Sequence, residues 1–350
     1  MSDPTAIPTG TPEEETRKLV ELLDLERLDV NLYRGRQPAT TRQRVYGGQV
    51  AAQALIAANH TVDPDYHVHS LHSYFLLPGD YQVPIIYDVE RIRDGRSFLT
   101  RRVVARQHGR AIYYQTLNYQ RAEDGFDHQD AMPEVKPPTD GVDLLELMRS
   151  RGTDDGLAQE WAALDVRWIG NSRHGGLADD PVRPSRAGVW LRIAGELSDD
   201  PNEHLAMFTY ASDVTLLGVS LAAHDTDPSK VQMASLDHTI WFHRPFRADE
   251  WWLYDQWSPS ASGARGLSLG RVFTQDGSLV ATVAQEGLIR PHTGHARPTA
   301  EPTTEPHSEP HSEPTSDHRS AEPARWSGLV ITARWYDPSG AALRSSGPPG

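Results

Sequence analysis

The chain has 350 residues, 34 Lys plus Arg against 48 Asp plus Glu, a formal net charge of -14 and no cysteine. At roughly 100 to 200 residues per domain the length admits two domains or one large one, either able to bury a core without metal or disulfide staples. The missing thiol excludes a cysteine nucleophile, cysteine-ligated zinc and a disulfide framework, making a cytoplasmic setting the expectation, and the acidic balance argues against nucleic acid as a partner.

Residues 1–10 carry Pro4 and Pro8 and lack the basic and apolar regions of a signal peptide, so they read as a disordered tail. No run of about 18 apolar residues follows, so no membrane span is expected. Thr11-Pro12-Glu13-Glu14 supplies an N-cap hydroxyl, a proline at the first helical position and a carboxylate at the third, and Leu19, Leu22 and Leu23 give that helix one apolar face. Gly47-Gly48-Gln49 leads into Val50 to Ala58, a helix of small side chains that permits close backbone approach. Strands are predicted at Val68 to Leu77, Ile85 to Ile92 and Phe98 to Arg106, then a His108-Gly109 turn and Ala111 to Gln120, alternating with period two.

The order then returns: a helix near Asp213 to Ala223, strands at Leu236 to Phe246, Trp251 to Trp257 and Leu267 to Thr274, an Asp276-Gly277 turn, and Ser278 to Arg290. Pro78 and Pro245, Tyr87 and Tyr254, and Asp88 and Asp255 stand 167 apart, while the turn glycines Gly109 and Gly277 stand 168 apart, which marks an internal repeat. Between the copies, 122–187 is charged, rich in Pro and Gly, with one helix from Val142 to Arg149, and reads as a connection. The division expected is a first repeat at 11–121, the connection, a second repeat at 188–290 and a disordered tail at 291–350. In that tail Glu-Pro recurs every four residues; His307 and His311 share the spacing, but the prolines deny them a common helix face, and no metal site is read there. One long helix followed by antiparallel strands, given twice, describes an α+β double hotdog, each curved sheet wrapping its own helix.

Several stretches resemble the acyl-CoA thioesterase II family, the bacterial double-hotdog enzymes related to peroxisomal acyl-CoA thioesterases. They are Val45-Tyr46-Gly47-Gly48-Gln49-Val50, the run from His69 to Asp80, Ile85 to Val89, Tyr210-Ala211-Ser212-Asp213, the run from Ser235 to Phe246, and Gln285-Glu286-Gly287. The resemblance spans about Leu19 to Arg290. It implies hydrolysis of fatty acyl-CoA to a free acid and coenzyme A without metal or cofactor, and a catalytic set of Asp213, Ser235 and Gln285, with serine where relatives often carry threonine. It also implies self-association, which agrees with the tendency of exposed strand edges to pair.

The residues themselves agree with that role. Thioester hydrolysis without a cysteine or an activated serine needs a positioned water, a proton acceptor and oxyanion donors. An Asp at a helix start is held ionised by the dipole, and a Ser and a Gln each donate and accept, so together they can orient one water. Gly47-Gly48, at the other helix start, offers candidate oxyanion N–H groups. His72, His238 and His243 lie in strand-like runs among aromatics and read as core or interface histidines, His72 being retained as a residue that could line the site. An acidic chain that accepts anionic coenzyme A calls for a local basic patch, for which Arg265 or Arg271 is the candidate. Gly218-Val219-Ser220-Leu221-Ala222 is a near miss to a serine hydrolase elbow, which requires a strand before the serine and a helix after it. A double hotdog that binds an acyl thioester or a protein without turnover, or a hotdog hydratase, shares the same fold. No Gly-x-Gly-x-x-Gly or Walker-type loop supports a nucleotide-binding oxidoreductase.

Overall fold

The computed structural model describes residues 10–38, 40, 44–150, 157–226 and 230–292; the tail expectations for 1–9 and 293–350 lie outside them. In chain order the elements are α1 (Pro12–Leu23), β1 (Glu26–Asp29), β2 (Leu32–Gly35), α2 (Gly47–Asn59), β3 (Tyr66–Phe75), β4 (Ile85–Asp94), β5 (Phe98–Gln107), β6 (Arg110–Arg121), β7 (Val142–Asp143), α3 (Leu144–Ser150), α4 (Leu157–Glu160), β8 (Leu164–Asn171), β9 (Arg186–Ile193), α5 (Pro201–Ala211), β10 (Val231–Ser235), β11 (Asp237–Phe242), β12 (Trp252–Ser262), β13 (Arg265–Thr274) and β14 (Leu279–Pro291).

Helix α1 begins as its sequence dictates. The Glu14 amide donates to Thr11 Oγ1 at 3.3 Å, and the Thr11 amide donates to Glu14 Oε2 at 3.0 Å, a reciprocal capping box with Pro12 at the first helical position. Leu19 and Leu23 point into the core. Helix α2 is apolar on nearly every side and buried accordingly, with Ala52, Ala54, Leu55, Ala57 and Ala58 all at 0% exposure. It packs on β4, β5 and β6, the strands that wrap it.

The strands form one antiparallel sheet in the order β1-β2-β4-β5-β6-β3-β11-β14-β13-β12-β9-β8-β7, with β10 also pairing β14. Reading outward from the β3–β11 junction, where Leu71 faces Ile240 and His72 faces Thr239, six strands of each half correspond in order, β3, β6, β5, β4, β2 and β1 with β11, β14, β13, β12, β9 and β8, and the second half adds β7 and β10. The turn glycines mark the same place in each: Gly109 at φ 75° and Gly277 at φ 90° take the left-handed conformation that closes β5 onto β6 and β13 onto β14. This is the double hotdog. The two long helices run antiparallel, the start of each beside the end of the other: a Cβ on Gly48 would lie 2.3 Å from the Tyr210 carbonyl, and Asn59 Nδ2 donates to Asn202 Oδ1 at 3.3 Å. On α5, Phe208 packs edge-on against Phe242, Phe246 and Trp252.

Three expectations are corrected. The second-repeat helix is not Asp213 to Ala223 but Pro201–Ala211, opened by Asp200, whose carboxylate accepts the Asn202 amide at 2.9 Å, and by Pro201 at the first helical position. The polar first turn hid its periodicity, and the apolar stretch after Asp213 forms a single 3-10 run, Leu216–Leu221, instead. The segment 122–187 is more than a connection, since β7, β8 and the first residues of β9 lie within it and extend the second half of the sheet; Gly170 and its neighbours gave it a loop-like composition. The strand expected over Leu236 to Phe246 runs only from Asp237 to Phe242, and a separate strand, β10, precedes it; between them Leu236 donates to the Glu286 carbonyl and accepts from the Phe75 amide at 2.9 Å each.

Candidate active site

Asp213 follows the end of α5: Ser212 is its C-cap, its amide bonded to the Phe208 carbonyl at 2.8 Å, and the chain then leaves helical geometry. Ser235 is the last residue of β10, at the break before β11. Gln285 lies in the middle of β14 with its side chain on the concave face, fully buried. These three positions, 72 and 50 residues apart from Gln285 in sequence, converge. Gln285 Nε2 donates to Asp213 Oδ1 at 2.6 Å and to Ser235 Oγ at 2.8 Å. Ser235 Oγ lies 3.5 Å from the same carboxylate oxygen.

The donor count fixes the roles. A carboxylate only accepts, so the Gln285 nitrogen must face it, and both amide hydrogens are then spent on Asp213 and Ser235. The Ser235 oxygen accepts from Gln285, which leaves its own hydrogen for another acceptor at the carboxylate side. The other carboxylate oxygen sits against the first repeat: a Cβ on Gly47 would lie 2.7 Å from Asp213 Oδ2 and 2.9 Å from Phe75 Cε1. Asp213 is therefore at a helix start after all, but that of α2, whose positive dipole end favours the carboxylate's charge. Its own helix contributes the opposite end. Tyr46, just ahead of α2, donates its hydroxyl to the Tyr210 carbonyl at 2.9 Å and so ties the α2 start to the α5 end. Tyr254 donates to the Ser212 carbonyl at 3.1 Å; burial first, and the Asp213 charge second, push that phenol well above its ordinary range and keep it a donor.

Comparison with known proteins identifies the family. Residues 169–288 match the model of the acyl-CoA thioesterase family, and residues 36–118 match that of the acyl-CoA thioesterase N-terminal domain. Acyl-coenzyme A thioesterase 8 of Mus musculus is 40% identical over 286 residues, 78% of this chain and 88% of that protein. Acyl-CoA thioesterase 2 of Haemophilus influenzae is 38% identical over 281 residues, 78% of this chain and 96% of its own. Among solved structures, the acyl-CoA thioesterase II TesB2 from Mycobacterium marinum is 47% identical with a TM-score of 0.69, over 79% of this chain and 99% of that one. The chain belongs to the acyl-CoA thioesterase family.

In this acyl-CoA thioesterase the first repeat carries no equivalent of the set. The helix starts, Gly47 and Pro201, are separated by 154 positions (201 less 47) rather than the 167 of the strands, because 212–230 is longer than its counterpart, 60–65. Asp213 therefore corresponds to Asn59, and not to Tyr46, the residue that an offset of 167 would give. At the strand offset of 167 Ser235 corresponds to Val68, and at the turn offset of 168 Gln285 corresponds to Leu117. The space is filled as well: Arg101 is 1% exposed on the inward face of β5, its guanidinium bonded to Thr61 Oγ1 at 2.9 Å, to the Arg93 and Thr100 carbonyls and to Asp94.

Other sequence candidates stand elsewhere. His72 is exposed and meets Trp241 edge-on at 5.4 Å; its register partners Thr239 and, beyond it, Ala284 alternate with Gln285, so it lies on the convex face, away from the set. Arg265 is on that face too, half-exposed and paired with Glu286 at 3.0 Å. Arg271 is held by Asp255 at 2.6 Å and Asp130 at 2.9 Å, a structural ion network rather than a free cation. Ser220 is 1% exposed in the 3-10 run, donating to the Leu217 carbonyl at 2.7 Å, with no strand leading into it, which removes the serine-elbow reading. His243 donates to or accepts from Thr282 at 2.8 Å. Ser212 carries no signal of its own in the sequence, and His238 reads there as a core or interface histidine, although both lie inside the runs that carry the family resemblance.

Proposed function

We propose that this acyl-CoA thioesterase hydrolyses its substrate with Asp213, Ser235 and Gln285 by direct attack of a water molecule. The observation that carries the reading is the doubly donating Gln285 amide, which presents Asp213 and Ser235 side by side at a helix start. A water bound between the Ser235 hydroxyl and the carboxylate gives up a proton to Asp213 as its oxygen bonds to the thioester carbon. The carbonyl becomes an oxyanion, for which the backbone N–H groups at Gly47 and Gly48 are the donors of this reading. Collapse of the tetrahedral adduct breaks the C–S bond, and the coenzyme A sulfur takes the proton that Asp213 received, so a carboxylic acid and a thiol leave and the carboxylate is restored. Precise placement of a modest base suffices because a thioester carbonyl is strongly electrophilic. His72 and Arg265, on the other face, have no part in the step.

A single turnover in ¹⁸O-labelled water tests it. Direct attack places the label in the released acid, none in the protein, and leaves no acyl group on Asp213 in a rapid quench; label in the Asp213 carboxylate, or an acyl group trapped on it, means that Asp213 itself attacks and an anhydride forms.

Self-association belongs to the same proposal. His72, Tyr74, Tyr114 and Trp241 form an aromatic strip on the convex face across the β3–β11 junction, the tilted rings of Tyr74 and Tyr114 lying 5.6 Å apart. Partial desolvation lowers the His72 pKa, so the strip is uncharged near neutrality and gives copies of a -14 chain a face on which to meet without repulsion. Among the described residues no helix is long and apolar enough to cross a membrane, and a cytoplasmic setting is part of this proposal.

A further inference from the structure

His238 on β11 is a fully buried histidine that the proposed chemistry does not use. Its Nε2 lies 2.8 Å from Ser212 Oγ. Ser212 Oγ in turn donates its one hydrogen to the Thr209 carbonyl at 2.9 Å, so toward His238 it can only accept. The imidazole is thereby the Nε2–H tautomer, and its buried Nδ1, which has no partner in the protein, is a lone pair rather than a stranded N–H. The strand side is fixed as well: Ser73 Oγ donates to the His238 carbonyl at 2.7 Å, across the β3–β11 junction.

Every polar group of Ser212 is consequently committed. Its amide donates to Phe208, its carbonyl accepts from Tyr254, and its hydroxyl bridges Thr209 and His238. The next residue is Asp213. A residue with four independent tethers has no rotational freedom to pass on, and the direction in which the chain leaves α5 is what aims the carboxylate at Gln285 and Ser235. Helix C-caps ordinarily settle into glycine or solvent; this one is fastened to a buried ring on the neighbouring strand.

We infer that His238 is a positioning residue for hydrolysis: by donating to Ser212 Oγ it locks the turn after α5 and holds the Asp213 carboxylate in its working direction. The inference rests on Asp213 being the base. Burial lowers the ring's pKa to about 4, so at working pH it is the neutral ring that the Ser212 contact requires.

Three variants test it. His238→Gln keeps an Nε2 donor at the same reach and should turn over within about threefold of the parent, with an unaltered pH–rate profile. His238→Phe keeps the ring volume without the donor and should lose about tenfold or more in kcat, with KM within about twofold. Ser212→Ala removes the acceptor, leaves the core ring in place, and should reproduce that loss even if His238→Phe proves too unstable to assay. Each is repeated in an Asp213→Asn background, where no further loss is expected. A Ser212→Ala loss of equal size in both backgrounds, or full activity of Ser212→Ala beside an inactive Asp213→Asn, overturns the inference alone. Near-normal turnover of Asp213→Asn overturns the catalytic set and this inference with it.

Discussion

Replacing Asp213 with asparagine is the sharpest perturbation the site offers, because the geometry separates binding from proton transfer. Asparagine can keep its carbonyl oxygen toward Gln285 and preserve the 2.6 Å bond, while Oδ2, the oxygen facing Gly47, becomes an amide nitrogen that cannot take a proton. What is lost is the base. General-base catalysis contributes on the order of a hundred- to ten-thousandfold, or about 2.7 to 5.4 kcal/mol of barrier at 1.36 per decade. Turnover should therefore fall at least about a hundredfold with KM within about threefold and an unchanged melting temperature. Asp213→Glu supplies a base but must place an extra methylene where a Gly47 Cβ would already be 2.7 Å from the carboxylate, so an intermediate loss of about tenfold is expected. Release of coenzyme A is read with a thiol-reactive dye, and a protein without cysteine adds no background. Folded Asp213→Asn enzyme retaining turnover within about fivefold of the parent would refute the assignment.

Further expectations follow from the same contacts. Asn59→Ala, at the first-repeat counterpart of Asp213, should leave turnover within about twofold; a loss comparable to Asp213→Asn would mean that both halves are catalytic. Gly48→Ala drives a methyl into the Tyr210 backbone carbonyl at 2.3 Å and should lower stability by about 1–3 kcal/mol, whereas Gly47→Ala meets movable side chains and should cost more in kcat than in melting temperature; thermal melts beside kinetics check the order. His238 titrates near 6.5 unfolded and at about 4 folded, so the unfolded chain binds the extra proton between those values: its contribution is complete above pH 6.5 and is lost as pH falls through about 4, to about 3 kcal/mol. Urea unfolding at pH 4.5 and 7.5 should show a pH-dependent loss that His238→Gln reduces; equal losses in both proteins would contradict the burial argument. Trp241→Glu, placing a charge on the convex strip, should shift the chain toward monomer in light scattering; a parent that is already monomeric at micromolar concentration contradicts the self-association proposal.

Much of this protein is legible in the chain. The capping box at Thr11 and Glu14, the alanine-rich α2, the period-two strands and the 167-residue repeat are local or pairwise patterns, fixed by short-range sterics and by the need of each face to be apolar, and together they specify the double hotdog. Charge and the absence of cysteine narrowed the chemistry in the same way. Other features depend on what packs against what. Where α5 lies was obscured because its first turn is polar and its burial comes from Phe242, Phe246 and Trp252, far along the chain. That β8 belongs to the second half depends on pairing with β9. Which of His72, Arg265, Asp213 and Gln285 share a face depends on strand register, since one residue's shift exchanges the concave face for the convex one. Above all, the base stands at the end of its own helix yet at the start of the other repeat's, because the two helices run antiparallel with Gly48 under Tyr210. Sequence supplied the carboxylate, the amide and the hydroxyl; only the folding of the second half brings them within 3.5 Å of one another, and only its packing on the first half sets the start of α2 against the carboxylate.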